Sequence, residues 1–175
     1  VSSAEGGPHI DNIGVSTTLS GPPAPVVNVE DYGAVGDGST DNTRAIANAI
    51  EACPPGGSVV FDEGIYMTGS VNLKANMTLW VSENAVVRAI QDISKIKRFS
   101  NGGLFSRYFL FGNQVDNLTI TGGGAIDGNI VDGYGGNSMN TRLVLMGWNN
   151  SQNVMVTNVD LLHSDFCTFV PQNLF

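Results

Sequence analysis

An internal repeat constrains this chain more than any other feature. Asn76-Met-Thr-Leu79, Asn117-Leu-Thr-Ile120 and Asn153-Val-Met-Val156 each set an asparagine before a short apolar strand, at spacings of 41 and 36 residues. A second column aligns Phe109-Leu-Phe111, Leu143-Val-Leu145 and Thr168-Phe-Val170, the last two about 25 residues apart. A rung of that length, sometimes lengthened by a loop, marks a solenoid with several strands per turn. A β-sandwich is the competing reading of many short strands. The lack of Asn-Gly-type two-residue hairpins between adjacent strands counts against it. Turns that continue in one rotational sense give a parallel β-helix instead.

Composition agrees with a turn-rich all-β chain. The 175 residues suit one domain and include 22 glycines; 42% are hydrophobic and 14% charged, against roughly 25% charged in an average soluble domain. The net charge of −8 argues against binding a phosphate backbone, so no nucleic-acid partner is expected. No apolar run approaches the roughly 18 residues that cross a bilayer, so no membrane span is expected either. Val1 to Ile10 has neither the basic nor the apolar region of a secretory signal, which fits a mature form.

Along the chain, residues 1–25 are rich in Ser, Gly, Pro and Thr without sustained periodicity. They read as an idle tail or as an arm that packs through Ile10, Ile13, Val15 and Leu19. The domain proper is expected over 26–175. Val26 to Val29 is β-like, and Tyr32 to Gly38 is a connector. Ser39, Thr40 and Asp41 are N-cap candidates for a helix over Asp41–Ala52, with Ala45, Ile46, Ala49 and Ile50 on one stripe. Pro54-Pro-Gly-Gly57 stops it. Short strands follow from Ser58 onward, with Val60, Leu79, Phe109, Ile120, Leu143, Val156 and part of Phe166–Val170 expected inward. Two stretches, Asp92–Arg107 and Asp127–Thr141, read as looser excursions.

Two cysteines, Cys53 and Cys167, form no disulfide framework and no metal spacing. About three rungs at ~4.8 Å would separate them by about 14 Å, and a disulfide tolerates about 7 Å between Cα atoms. No bond between them is expected. Three N-x-[ST] sequons, at Asn76, Asn117 and Asn149, point to N-linked glycans and a secreted, extracellular or cell-wall protein.

Several polar residues carry two readings each. Asp127, between Ile126 and Gly128, is a turn acceptor for its own backbone or a wall of a substrate groove. Asp160, His163 and Asp165 are a strand edge among Leu161, Leu162 and Phe166, or an acid–base cluster. Lys95, Lys97 and Arg98 are a solvated loop or partners for uronate carboxylates. Glu30, Asp37 and Asp41 fail the spacing of a calcium loop, and helix capping explains Asp41 more simply. No metal and no cofactor is implied.

The segment Val27-Asn-Val-Glu-Asp-Tyr-Gly-Ala-Val-Gly-Asp-Gly-Ser-Thr-Asp-Asn-Thr-Arg-Ala-Ile46 resembles the opening of pectin-active parallel β-helix proteins. Gly56 to Phe61, Gly64 to Leu73, Met77 to Trp80 and Leu118-Thr-Ile-Thr-Gly-Gly-Gly-Ala-Ile-Asp-Gly128 follow in an order similar to glycoside hydrolase family 28, the polygalacturonases, within the pectin-lyase-like superfamily. The resemblance spans about Val26 to Val170. It implies a right-handed parallel β-helix with an N-terminal capping helix. It also implies inverting hydrolysis of α-1,4-galacturonosyl bonds in a pectin-like polyuronide. The family's Asn-Thr-Asp, paired-Asp, Gly-His-Gly and Arg-Ile-Lys motifs do not occur here. The first of them is expected about 25 residues past the Leu161–Pro171 segment, so the chain reads as the N-terminal part of such a protein and no catalytic residue is carried over.

Two positions depart from the family. Asp132-Gly-Tyr134 stands where a Trp pair is usual, and Val170 replaces a His before Pro171. With the net charge of −8, which disfavours attraction to a polyanion, they keep a second reading open. That reading is a non-enzymatic extracellular structural glycoprotein, a wall or filament building block whose exposed solenoid ends associate end to end.

Overall fold

A computed structural model describes residues 21–101, 104–130, 142–165 and 167–172. Fourteen of its strands stack in three parallel sheets, and one strand from each sheet in turn makes a rung. The first sheet joins β1 (Val26–Asn28), β3 (Ser58–Phe61), β6 (Met77–Val81), β10 (Leu118–Thr121) and β13 (Val154–Val156). The second joins β2 (Asp37–Asp41), β4 (Gly64–Thr68), β7 (Ala85–Ala89), β11 (Ala125–Asp127) and β14 (Asp160–Leu162). The third joins β5 (Val71–Asn72), β9 (Leu104–Asn113), β12 (Leu143–Asn149) and β15 (Cys167–Gln172), with β8 (Arg98–Asn101) paired to β9. This is a right-handed parallel β-helix, all-β among the described residues apart from one α-helix and two short 3-10 turns.

The asparagine repeat has a direct physical cause. Asn76, Asn117 and Asn153 have φ of 57°, 55° and 54°, the left-handed region that asparagine tolerates better than most residues. Each turns the chain into the next strand of the first sheet. The register then stacks Met77, Leu118 and Val154. The amides form a ladder: Asn117 Nδ2 donates to Asn76 Oδ1 at 2.8 Å, and Asn153 Nδ2 to Asn117 Oδ1 at 3.0 Å.

Leu79, Ile120 and Val156 are in register and belong to or pack on the core, as expected inward. Val60 departs from expectation. It is buried, but it pairs with Trp80 on the opposite face, and Val59 takes the inward position beside Leu79. A strand buried on both faces shows no alternation in its apolar pattern, so parity cannot be read from it. Of the Phe166–Val170 positions, residue 166 and the side chains of 167, 169 and 170 lie outside the described ones.

Three other assignments differ. The solenoid starts at β1, which pairs with β3, rather than at Ser58. The helix α1 runs Thr43–Ala52 with Asn42 as N-cap, and Ser39 to Asp41 lie in β2. Asn42 makes no side-chain cap. Its amide instead holds the connector, accepting from Val35 N at 2.7 Å and donating to Val35 O and Thr40 O at 3.0 Å each. The Asp92–Arg107 stretch contains a 3-10 turn, Ile93–Lys95, and the antiparallel β8–β9 hairpin. Its Asn101-Gly-Gly sequence is a hairpin signal that the sequence reading missed.

Helix α1 closes the N-terminal end by burying Ile46, Ala49 and Ile50 at i, i+3 and i+4. Each isoleucine so buried contributes about 2 kcal/mol. Of the expected arm, residues 1–20 lie outside the described ones, while Pro23 O and Pro25 O accept from Ser58 Oγ and N.

Candidate functional site

The second sheet carries the most organised polar cluster. Arg88, Asp127 and Leu162 fall side by side on β7, β11 and β14. Asp127 is 2% exposed, yet both its oxygens have partners. Oδ2 accepts from Arg88 Nε at 2.8 Å. Oδ1 accepts from Asn129 N at 2.7 Å and from His163 Nδ1 at 2.8 Å. An ionised carboxylate only accepts, so Nδ1 of His163 carries the proton and Nε2 is left for other partners. The ring sits on a left-handed residue, φ 49°, and its side chain is 61% exposed. Asn129 Nδ2 donates to Ala89 O, and Gln91 Nε2 to Asn129 O, which locks the corner.

Burial pushes the Asp127 carboxyl up. The Asn129 N–H, His163 and Arg88 pull it down further, and the net result lies below the ordinary carboxylate range. The residue is therefore the backbone-turn acceptor expected from its sequence position, and also the hub of an ion pair. It does not itself face solvent. Arg88 and His163 are what the cluster presents outward.

Sequence reasoning missed Arg88, and the signal for it was two residues out of step. Trp80 pairs with Thr121, but Val86 pairs with Ala125, so the corner through Gly122 and Gly124 is two residues shorter than the one beneath it. Extending the 41-residue spacing would place Arg88 beside Asn129. His163 likewise joins Asp127 rather than its sequence neighbours. Asp160 is exposed on β14, its backbone N donating to Gly124 O at 2.9 Å.

The remaining candidates serve local structure. Glu30 accepts from the Tyr66 hydroxyl at 2.8 Å. Asp37 accepts from Ser39 N and Thr40 N, which hold its carboxyl far below the ordinary range. Asp41 accepts from Thr43 N at 3.0 Å and pairs with Lys95 at 3.1 Å. Among the described residues, no three His, Cys, Asp or Glu groups could jointly hold a metal ion. Lys97 N donates to Ser70 Oγ at 2.7 Å, and Arg98 opens β8. Asn76 and Asn117 are exposed at the ladder corner, while Asn149 ends β12 beside the fully buried Ser151. Cys53 is a buried free thiol, and the side chain of Cys167 lies outside the described ones.

A three-sheet parallel solenoid with a helical cap is the architecture of the pectate-lyase-like β-helix proteins. Residues 26–168 match the family described as rhamnogalacturonase A/epimerase, pectate lyase-like, and the chain belongs to it. Among curated relatives it is similar to an exo-poly-alpha-D-galacturonosidase of Dickeya chrysanthemi, 32% identical over 139 residues, covering 72% of this chain and 23% of that protein. Among solved structures it is similar to the family 28 exopolygalacturonase of Yersinia enterocolitica, with TM-score 0.73, 23% identity, and coverage of 85% of this chain and 38% of that one. It is also similar to a surface adhesin of Streptococcus pneumoniae, with TM-score 0.59, 28% identity, and coverage of 78% and 33%. The chain thus spans about a quarter of the Dickeya relative's length.

Proposed function

We propose that this chain is the N-terminal, non-catalytic part of a secreted polygalacturonase-like glycoside hydrolase. The whole protein would hydrolyse α-1,4-galacturonosyl bonds in pectin-like polyuronide with inversion. The observation that carries this reading is the 32% identity to an exo-poly-alpha-D-galacturonosidase across 139 residues. Inversion needs a protonated carboxyl at the leaving oxygen and a second carboxylate, about 6.5–9.5 Å away, to activate water. Asp127 suits neither role. Held ionised, it has no proton to deliver, and its oxygens are already engaged by Arg88, His163 and Asn129.

The third sheet is where a continuing chain would meet this need. Among the described residues, its last strand, β15, pairs with β12 alone. A further rung of about 25 residues would set an Asn-Thr-Asp segment against it. The test is to extend the protein by three rungs of its own gene, about 80 residues, and assay polygalacturonate. New reducing ends with inverted anomeric configuration are expected from the extended form and none from the 175-residue chain. An extended form that lacks an Asn-Thr-Asp and a paired Asp and stays inactive would overturn the reading.

The similarity to a surface adhesin favours a second reading, a non-enzymatic extracellular glycoprotein that associates end to end. Concentration-dependent growth in light-scattering mass, without hydrolysis by the extended form, would select it. Both readings expect sugar on at least one of Asn76, Asn117 and Asn149. Intact mass of the natural protein is expected to fall on enzymatic deglycosylation.

A further inference from the structure

All three lysines of the chain, Lys74, Lys95 and Lys97, line a single cleft. It encloses about 290 Å³ between α1, the segment around β5 and the excursion that carries Lys95 and Lys97, with Thr43, Ser70 and Asn72 among its polar walls. Among the described residues lining it, Glu51 is the one carboxylate, and Asp41 pairs with Lys95 at its edge, so the three lysines still leave the cleft net positive in a chain whose total charge is −8. Positive walls of this kind focus an anionic ligand locally even where the whole molecule repels it.

The platform under two of the lysines is rigid. Ser70 N donates to Lys95 O at 3.1 Å and Lys97 N to Ser70 Oγ at 2.7 Å. Ile96 between them is 1% exposed. The Arg107 guanidinium donates to the carbonyls of Ile93, at 2.7 Å, and Ile96. Gly69 lies so close that an added Cβ would stand 2.7 Å from Lys95 O. A site held this way loses little conformational freedom on binding. The ammonium groups are only partly used: Lys74 Nζ donates to Glu51 O at 2.8 Å, and Lys95 Nζ pairs with the exposed Asp41. Each has three donors, so donors remain for a ligand.

We infer that this cleft binds a uronic-acid unit of an acidic polysaccharide. Its carboxylate would lie among Lys74, Lys95 and Lys97, and its hydroxyls would meet Thr43, Ser70 and Asn72. The volume is near the lower end of small-molecule sites, about 300 Å³, and suits one sugar ring. The choice of sugar rests on the polyuronide reading above; the charge and geometry do not depend on it.

The experiment titrates trigalacturonate into the 175-residue chain and follows amide NMR shifts. Saturable shifts are expected at Thr43, Ser70, Asn72 and Lys97. Affinity should fall about tenfold in Lys95→Gln/Lys97→Gln and with added salt, and hold in Arg44→Gln. Neutral galactotriose and inorganic sulfate should bind more weakly than trigalacturonate. No saturable shift at the cleft, undiminished binding in the double variant, or sulfate binding as tightly as trigalacturonate would each overturn the inference. Should the double variant melt below the unaltered chain, the shift map of the unaltered chain decides alone. Binding here without hydrolysis by the extended form sinks the enzyme reading only, and hydrolysis without binding sinks this inference only.

Discussion

At the scale of single residues, Asp127 shows how one carboxylate ties three rungs together. It joins Arg88 from the rung below and His163 from the rung above while capping its own turn. Replacing Asp127 by Asn keeps the shape but loses the charge, and should cost about 1–3 kcal/mol. The lower part of that range applies, because Arg88 is 32% exposed and its attraction is screened. Denaturant titration of the two proteins measures it. The pH dependence follows from the lowered carboxyl. A carboxyl whose folded pKa lies below its unfolded value stabilises fully above about pH 4 and loses that contribution as pH falls through the folded pKa. Acid titration of stability should therefore be steeper below about pH 4 in the unaltered chain than in Asp127→Asn; identical slopes would contradict the assignment.

At the scale of elements, the corner between β10 and β11 decides whether rungs stack. Gly122 has φ 131°, and a Cβ there would meet Val81 O at 2.2 Å; at Gly124 it would meet Ser82 O at 2.2 Å and Ala85 O at 2.5 Å. These obstacles are backbone atoms of the rung below and cannot rotate aside. Gly124→Ala should therefore destabilise by about 2–4 kcal/mol, which a thermal melt would show as a large fall in midpoint. A midpoint within about a degree of the parent would mean that the rungs are looser than described here. Asn42 does comparable work at the cap. It is 1% exposed and makes three hydrogen bonds to the connector. Asn42→Ala should cost about 2–3 kcal/mol, because it leaves the Val35 N–H without its partner.

At the scale of the molecule, the stacking distance sets what the cysteines can do. Cys53 precedes the first full rung, and Cys167 opens β15, three ladder steps from β5 along the third sheet. At ~4.8 Å per step the axial separation is about 14 Å, beyond the reach of a disulfide. Non-reducing peptide mapping should find no linked Cys53–Cys167 peptide. Burial also pushes the Cys53 thiol up, with Lys74 opposing only in part. Cys53 should accordingly resist alkylation in the folded protein and react once it is unfolded.

The residue pattern by itself determined a parallel solenoid and one amphipathic helix, while the handedness and the helix's place as a cap were implied by the family resemblance. Asparagine tolerates a left-handed corner, so a repeated Asn before a repeated apolar strand shows where the chain turns. The Ile46, Ala49 and Ile50 stripe likewise shows a helix with one buried face. These signals are local, written in neighbouring residues. The polar corner and the lysine cleft are not local. Arg88 meets Asp127 across 39 residues, only because one corner is two residues shorter than the corner beneath it. Lys74 meets Lys95 and Lys97 only because the 3-10 turn folds back onto the Gly69–Ser70 bend, beside the capping helix. Corner lengths and the docking of an excursion follow from backbone packing between rungs. No residue pattern along the chain encodes them, and the tertiary structure alone decided them.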